Sequence, residues 1–547
     1  MQYTIGIDFG TLSGRAVLTA VQDGSTAATA VYEYPHGVMD TALPNGTPLP
    51  QGWALQHPGD YLEVLYHTLP ALLEQSQADP QDIIGIGVDF TSSSPLPVDA
   101  KGVPLCFYEE YAQDPHALVK LWKHHGAQAQ ADRITALARE RQEPWLPRFG
   151  GRISSEMSLP KLLQVLEEAP HIYHAMSHWM EAGDWIVWQL TGQPAQSACA
   201  AGYKSIWDAE TGFPSGDFLE ALNPQLKNGA AEKHSSPVIP IYSRAGSLAP
   251  AMAARLGLPA GICVAASMVD AHACLPASGI TRPGQMLAII GTSSCYMTLS
   301  EKPSVFPGIL SAAKDALHPG YWGYDAGQGC VGDHFAWAAE RITPESYRVE
   351  ARQQGMDIQQ YLTCLAQTQK PGAHGLVALD WWNGCRSVLM DSNLTGMILG
   401  MTLSTRAEDI YRALIEATAY GARVILEAYE AAGIHSDSLF ATGGISRKNP
   451  MMMQIYADVL NRPVHVVSAS QGGALGSAIV AAVAAGAYGT PEEAIRAMAA
   501  PVDRIYEPIP ENVRIYETLY GVYKILHDKF GQEARPLIQT LNQLRHT

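Results

Sequence analysis

Apolar and polar positions along the chain follow two alternating periods. Short apolar runs at 3–9 and 83–90 are typical of buried β-strands, and each carries an aspartate near its end followed by a hydroxyl-rich turn. Between them, residues 60–75 place their leucines on one helical face. Strands that alternate with helices in this way predict an α/β architecture.

Local signals predict where further helices begin and end. Asp, Asn or Thr favours a helix start when Pro follows it directly or Glu follows three residues later. The helices predicted in this way run from Asp114 past Trp122, from Thr405 to about Gly433 and from Asn449 to about Asn461. Three glycines interleaved with alanines at 472–476 predict a closely packed helix, and apolar residues at helical spacing from Glu511 onward predict an amphipathic one.

A faint internal repeat organises the chain. YTIGIDFGTLSGRAVL at 3–18 and MLAIIGTSSCYMTL at 286–299 share one plan: an apolar strand, Gly-Thr, one or more polar residues and a second apolar strand. Two similar halves of this kind indicate a duplicated domain with a cleft between the copies. The turn-rich stretch 276–285 is the expected boundary. We therefore predict domains at 1–278 and 279–547.

Composition and charge exclude several classes of protein. The 547 residues are 47% hydrophobic and carry a formal charge of -17, which argues against a nucleic-acid-binding protein because such proteins present a basic face. The eight cysteines are scattered without a CxxC pair, as expected of reduced thiols in the cytoplasm. The start lacks a basic signal-peptide region, and the longest small-apolar run, 474–487, is too short to span a membrane. We expect a soluble, cytoplasmic protein.

The Gly-Thr turn near the start carries candidate phosphate-binding groups. Glycine lets backbone N–H groups approach an anion closely, while hydroxyls add donors and arginine adds positive charge. The residues proposed for this role are Gly10, Thr11, Ser13 and Arg15. Asp8, just before them, is the candidate Mg2+ ligand because Mg2+ prefers oxygen atoms.

The second Gly-Thr turn would face the first across the cleft and bind the same phosphate chain. Its candidate residues are Gly291, Thr292 and Ser293. For either turn taken alone, an ordinary β-turn is the favoured interpretation. A pair of them at corresponding positions of two halves favours nucleotide binding.

These turns and several further strings carry a resemblance to a known family. The strings are GIDFGTLSGRAV, IGTSSC, TGGISRKN, LWKHH, GYKSIWD and DWWNGCRS. The chain resembles the FGGY carbohydrate kinases, which have duplicated actin/hexokinase-like (ribonuclease H-like) ATPase domains, and within them the ribulokinases. In this resemblance Gly443, Gly444 and Asn449 belong to the motif that contacts adenosine.

The resemblance implies ATP- and Mg2+-dependent phosphorylation of a ketopentose, L-ribulose to L-ribulose 5-phosphate, in L-arabinose catabolism. It places the sugar on the N-terminal half, ATP on the C-terminal half and the catalytic role on Asp270. The residues that match sugar contacts are Ser92, Trp122, Lys204, Asp270 and Asp325. The structural alternatives are a helix-capping Asp270, a core Trp122 on a helix and a solvated Lys204.

Two departures from the ribulokinase pattern leave the sugar open. Asp325 stands where ribulokinases usually have Glu, and SSEM at 154–157 stands where they typically have SSEW. The alternatives are another FGGY kinase, acting on D-ribulose, xylulose or a pentitol, and a non-kinase ATPase of the actin kind. The sequence also leaves the oligomeric state open, with a homodimer as one option.

Overall fold

The computed structural model describes residues 1–469 and 471–545. Backbone contacts divide the chain into two compact units. Unit 1 comprises Met1–Thr281, Ala312–Gly323 and Gln471–Ala500, and unit 2 comprises Arg282–Ser311, Tyr324–Ser470 and Pro501–Thr547. The end of the first segment of unit 1 lies near the predicted boundary at 278/279, and unit 1 additionally includes two segments from later in the chain.

The strands of the described chain are short and lie mainly in two sheets. In chain order they are β1 (Tyr3–Phe9), β2 (Ser13–Ala20), β3 (Thr26–Glu33), β4 (Leu55–Gln56), β5 (Ile83–Phe90), β6 (Pro95–Val98), β7 (Val119–Lys120), β8 (His178–Glu181), β9 (Gln196–Ser197), β10 (Val238–Ile239), β11 (Arg244–Ser247), β12 (Cys263–Ala265), β13 (Met268–Val269), β14 (Gly284–Ile290), β15 (Ser294–Ser300), β16 (Ser311–Lys314), β17 (Trp322–Gln328), β18 (Val377–Leu379), β19 (Met397–Leu399), β20 (Ser436–Thr442), β21 (Val464–Val467) and β22 (Val502–Tyr506).

The helices surround these sheets. In chain order they are α1 (Pro58–Ser76), α2 (Gln128–Glu140), α3 (Ser158–Glu168), α4 (Pro170–Ala175), α5 (Ala182–Thr191), α6 (Ala198–Lys204), α7 (Gly216–Leu222), α8 (Leu226–Lys233), α9 (Pro250–Leu256), α10 (Asp270–Ala277), α11 (Gly332–Trp337), α12 (Glu345–Gln353), α13 (Ile358–Gln367), α14 (Ala407–Ala431), α15 (Gly444–Lys448), α16 (Pro450–Leu460), α17 (Gly472–Ala484), α18 (Pro491–Met498), α19 (Pro510–Asp528) and α20 (Arg535–Arg545). Of the helices in the described residues, none has the length and apolar character that crossing a bilayer requires.

The two large sheets repeat one topology. The first has the order β11-β12-β5-β1-β2-β3, with β13 also paired to β5, and the second has the order β16-β17-β15-β14-β20-β21-β22. In each, the first strand of a hairpin pairs antiparallel with its partner and parallel with a later strand: β1 with β2 and β5, and β14 with β15 and β20. The predicted α/β fold with two related domains is confirmed.

Most of the predicted helices are confirmed, with two corrections. Asn449 caps α16 by accepting a bond from the Met452 amide at 3.0 Å, as the Asn-Pro signal predicts. The prediction of a helix from Asp114 past Trp122 is wrong. Only a 3₁₀ turn, Pro115–Ala117, forms there before the chain continues as β7. The helix expected at Thr405 is α14, which begins two residues later and whose first-turn bond runs from the Arg406 amide to Asp409.

Helix α17 lies unusually close to the strands of unit 1. A Cβ atom on Gly6 of β1 would lie 1.7 Å from the Ala474 carbonyl oxygen, and one on Gly87 of β5 would lie 2.0 Å from that of Ser477. On another side, a Cβ on Gly476 would lie 1.7 Å from the Ala273 carbonyl oxygen of α10. The close packing predicted from the glycines is confirmed, and both partners contribute glycines to it.

Candidate active site

Three parallel strands of unit 1 bring three carboxylates to one edge of the sheet. Asp8 of β1 is the register partner of Asp89 of β5, and β13, which also runs parallel to β5, leads directly into Asp270. Phe9 and Phe90, the next residues, stack with ring centroids 5.2 Å apart and so hold the two strand ends together. Because carboxyl ends of parallel strands meet at the same edge, residues far apart in the chain form one acidic cluster here.

Asp89 is the most buried member of this cluster. Its side chain is fully buried; Oδ2 accepts a bond from Ser477 Oγ at 2.7 Å, while Oδ1 has no hydrogen-bond partner among the described residues. Burial raises the pKa of Asp89 well above its usual value, and the charges of Asp8 and Asp270 raise it further. A carboxyl group in this position tends to keep its proton until a cation compensates the local charge.

Asp8 is paired with the arginine that the sequence singles out. Arg15 Nε lies 3.6 Å from Asp8 Oδ2, and its other nitrogens donate to Ser13 Oγ at 3.3 Å and to Gln471 Oε1 at 3.2 Å. Burial raises the pKa of Asp8, and the positive charge of Arg15 opposes this. The guanidinium charge therefore lies beside Asp8, next to the turn.

The amino end of α17 approaches the two strand-end carboxylates. A Cβ on Gly473 would lie 2.9 Å from Asp89 Oδ1 and 3.3 Å from Asp8 Cγ. A helix amino terminus carries partial positive charge, which stabilises anions close to it. Glycine at 473 thus lets the helix end come within contact distance of Asp8 and Asp89.

The first hairpin turn connects the phosphate and sugar candidates of unit 1. The Gly10 amide donates to the Ser13 carbonyl at 3.0 Å and closes the turn. Trp122 Nε1 donates to Thr11 Oγ1 at 3.2 Å, and Gln56 Nε2 donates to the Thr11 carbonyl at 2.7 Å. Trp122 is half-buried and follows a strand, so the alternative of a core tryptophan on a helix is wrong.

Asp270 begins α10, and Lys204 ends α6. Asp270 Oδ1 accepts a bond from the Ala271 amide at 2.7 Å, so the side chain satisfies one first-turn amide although the helix starts at Asp270 itself. Lys204 is half-buried rather than fully solvated. Burial raises the pKa of Glu181 to about 7 and lowers that of His272, and the charge of Lys204 acts to lower both. Both predicted residues therefore belong to the polar part of unit 1 that includes the acidic cluster.

Ser92 lies in a turn whose next two residues are hydrogen-bonded to the side chains of Lys161 and Glu181. The neighbouring Ser93 has a left-handed backbone, φ 53, and its carbonyl accepts a bond from buried Lys161 Nζ at 2.7 Å. The Ser94 amide donates to Glu181 Oε2 at 2.8 Å. Left-handed backbone is costly for a residue other than glycine, so the bonds to Lys161 and Glu181 hold the turn that presents Ser92.

In unit 2, the second hairpin turn contacts the segment before α11, and the strand end before the turn contacts the candidate adenosine segment. The Gly291 amide donates to the Ser293 carbonyl at 2.9 Å, and the Thr292 carbonyl accepts from the Val331 amide at 2.8 Å. Gly443 has φ 105, and a Cβ there would lie 2.4 Å from the Ile290 carbonyl oxygen. Only glycine satisfies both demands. The candidate phosphate turn and the candidate adenosine segment are thus adjacent.

The remaining predicted residues of unit 2 differ in their surroundings. A Cβ on Gly444 would meet nothing within 4 Å, so this position is open, whereas Asn449 is buried as the cap of α16. Asp325 lies buried in β17. Burial raises the pKa of Tyr429, and the negative charge of Asp325 raises it further. Asp325 belongs to unit 2, while the other four sugar candidates belong to unit 1.

Sequence reasoning missed two residues of these sites. Asp89 could have been found from the repeated string IG-[I/V]-DF at 5–9 and 86–90, since identical patterns on adjacent parallel strands align their aspartates. Gly332 also lies at the second turn, where a Cβ would come within 2.8 Å of the Gly291 carbonyl oxygen. Its signal was the glycine spacing at 327–332.

The acidic cluster fits a divalent cation of the Mg2+ class. Asp8 and Asp89 supply adjacent carboxylate oxygens, one of which is buried without a hydrogen-bond partner, and both groups have raised pKa values. Mg2+ prefers oxygen ligands and keeps several waters. Asp8, which is partly exposed, is the better placed of the two to reach a hydrated ion.

Comparison with known proteins covers nearly the whole chain. Residues 3–275 match the N-terminal domain, and residues 286–485 the C-terminal domain, of the FGGY family of carbohydrate kinases. The ribulokinase of Bacillus licheniformis is 52% identical over 540 residues, with 98% of each chain covered. The ribulokinase of Mycolicibacterium smegmatis is 45% identical over 547 residues, covering 100% of this chain and 96% of the other.

Solved structures agree in fold. The xylulose kinase of Rhodospirillum rubrum superposes with a TM-score of 0.80 at 24% identity, covering 98% of this chain and 100% of that chain. The glycerol kinase of Plasmodium falciparum, solved with ADP, gives a TM-score of 0.76 at 14% identity, covering 96% and 97%. At such identities the likeness concerns the fold alone.

Proposed function

Because this chain belongs to the FGGY family of carbohydrate kinases, we propose that it transfers the γ-phosphoryl group of ATP to the terminal hydroxyl of L-ribulose. The products are L-ribulose 5-phosphate and ADP, and the reaction serves L-arabinose catabolism. The observation that carries this proposal is the 52% identity, over 98% of both chains, to a protein named ribulokinase. In this proposal the acidic cluster at the strand ends of unit 1 supplies the proton acceptor, Asp270, and the Mg2+ ligand, Asp8.

Asp270 is the proposed acceptor of the sugar hydroxyl proton. Its carboxylate lies at the start of α10, partly exposed, and it orients the attacking hydroxyl. An aspartate is a weak base toward an alcohol, so the proton moves late, as a loose phosphoryl-transfer transition state permits. The bond from the Ala271 amide holds the carboxylate in place.

Charge neutralisation falls to the two glycine turns, to Arg15 and to the Mg2+ ion that the acidic cluster would hold. The Gly10 and Gly291 amides close the turns. The amides that follow them, at 11–13 and 292–294, approach phosphate oxygens, because glycine leaves the backbone uncovered. Asp8 would hold Mg2+, directly or through water, and Arg15 orients the Asp8 carboxylate. When bound, Mg2+ neutralises charge on the transferring phosphoryl group.

Sugar contacts are assigned to Ser92, Trp122, Lys204 and Asp325. The bond from Trp122 to Thr11 supports this assignment, since it fixes the indole beside the first phosphate turn. In this proposal residues 1–278 form the sugar domain and residues 279–547 the ATP domain. We propose a cytoplasmic enzyme, with a homodimer as the assembly to be tested by light scattering.

A sugar panel tests the proposed reaction. The purified chain is assayed for ADP release with ATP, Mg2+ and, in turn, L-ribulose, D-ribulose, D-xylulose and ribitol, and the product is identified by mass spectrometry. We expect the highest kcat/KM with L-ribulose and a product phosphorylated at the terminal hydroxyl. An equal or higher kcat/KM with another member of the panel would contradict the assignment of L-ribulose as the substrate. Sugar-independent ATP hydrolysis without a phosphorylated product would contradict the assignment of the chain as a sugar kinase.

A further inference from the structure

A cluster of two histidines and an aspartate lies on unit 1 apart from the acidic cluster. His36 follows β3, while His57 and Asp60 lie at the start of α1, and one ligand atom from each of the three lies within 4.8 Å of the others. His36 Nδ1 is 2.7 Å from Asp60 Oδ1, and the His36 amide donates to Asp60 Oδ2 at 3.1 Å. The two imidazole rings stack with centroids 4.6 Å apart.

The spacing and burial of this cluster suit a metal ion. Two atoms bound to one Zn2+ ion at about 2 Å each lie roughly 3 Å apart, which is close to the separation of His36 Nδ1 and Asp60 Oδ1. The Asp60 side chain is only 4% exposed, whereas that of His36 is 38% exposed, so an ion can enter from the His36 side.

We propose that His36, His57 and Asp60 bind a divalent transition-metal ion of the Zn2+ class, with water completing its coordination. Imidazole nitrogen suits Zn2+, Co2+ and Ni2+, whereas Mg2+ prefers oxygen ligands. This site therefore differs in ion type from the Mg2+ position proposed at Asp8.

The ion would connect two segments that hold the first hairpin turn. The Tyr34 amide, two residues before His36, donates to the Leu12 carbonyl at 3.0 Å. Gln56, directly before His57, donates to the Thr11 carbonyl at 2.7 Å. Metal binding thus fixes the chain on both sides of the turn at 10–13 and slows the opening of that turn.

Metal titration of the full-length chain tests the site. The protein is freed of metal with a chelator, which is then removed, and Zn2+ binding is measured by calorimetry in excess Mg2+. Co2+ is titrated in parallel by visible absorption, where nitrogen and oxygen ligands lack the charge-transfer band of a thiolate. We expect one ion per chain at this site, no thiolate band, and slower hydrogen exchange at 10–13 when Zn2+ is bound.

The variants identify the ligands. His36→Ala and His57→Ala should each weaken Zn2+ binding at least about tenfold and abolish the change in hydrogen exchange. His67→Ala is the matched control, because His67 Nε2 lies 3.3 Å from Glu63 Oε2 on the same helix, outside the cluster. Asp60 is buried, so Asp60→Asn is interpreted only with an unchanged circular dichroism spectrum, and His36→Ala decides.

Three results would overturn the proposal. They are the absence of Zn2+ and Co2+ binding by the wild-type chain, unchanged Zn2+ affinity in His36→Ala, and an equal loss of affinity in His67→Ala. None of these measurements uses kinase activity, so the metal site can fail while the proposed function holds, and the reverse.

Discussion

Replacing Gly6 by alanine tests how α17 is held against the first sheet. The new Cβ would lie 1.7 Å from the Ala474 carbonyl oxygen and 2.7 Å from its carbonyl carbon. Both are backbone atoms inside a helix, so no side-chain rotation can relieve the clash. An ordinary contact begins at 3.4 Å, so the Ala474 carbonyl oxygen must move away from the new Cβ by about 1.7 Å.

The cost follows from this displacement. Overpacking a close-packed core typically costs about 1–3 kcal/mol, and each contact between heavy atoms that opens loses about 0.1–0.2 kcal/mol. Helix α17 also contacts β5, where a Cβ on Gly87 would meet Ser477 at 2.0 Å, so the gap opens along more than one strand. We therefore expect Gly6→Ala to lower the free energy of unfolding by about 3 kcal/mol, at the upper end of that range.

Urea unfolding of the full-length chain, followed by circular dichroism, measures the change. The control is Gly521→Ala, because a Cβ at this exposed position of α19 meets nothing within 4 Å. In a helix this change should stabilise by up to about 1 kcal/mol. An unfolding midpoint for Gly6→Ala equal to that of the wild type, or the same change in both variants, would refute the reasoning.

Three further predictions concern the site. Asp270→Asn should lower kcat at least about a thousandfold, a loss within the range for removing a catalytic group, while ATP affinity measured by calorimetry stays within about twofold; near-normal turnover would contradict the role of Asp270. Gly10→Val should weaken ATP binding by about tenfold or more, because a Cβ there already comes within 3.2 Å of the Ser13 carbonyl oxygen; an unchanged dissociation constant would count against the turn as a phosphate site. Because burial raises the pKa of Asp89 in the folded chain, the protonated carboxyl group stabilises the folded state. This stabilisation is fully present below the pKa of aspartate in the unfolded chain, about 3.9, and is lost as pH rises through the folded-state pKa. In metal-free buffer, Asp89→Asn should therefore gain melting temperature relative to the wild type between pH 5 and pH 8, and parallel melting curves would contradict this.

Local interactions explain what the sequence alone could predict. The cap of α16 at Asn449 and the Gly-Thr turn at 10–13 depend on contacts within about four residues. The residue types in each short stretch are therefore enough to predict them. At Asp114 the local signal alone gives the wrong length. The capping bond forms, since the Asp114 side chain accepts from the His116 amide, but the helix stops after one 3₁₀ turn. There Val119 and Lys120 pair with β4, and the sheet contact overrides the local preference.

The sequence by itself determined the α/β class, the duplicated hairpins and the family resemblance, because each of these is written in short stretches of residues. Only the tertiary structure decided that Asp8, Asp89 and Asp270 share one edge, since parallel pairing joins strands far apart in the chain. It likewise decided that 471–500 returns to the first sheet. The glycines of α17 predicted close packing but not the surface against which the helix packs. A close approach requires small residues on both surfaces, and here Gly6 and Gly87 of the strands meet the helix.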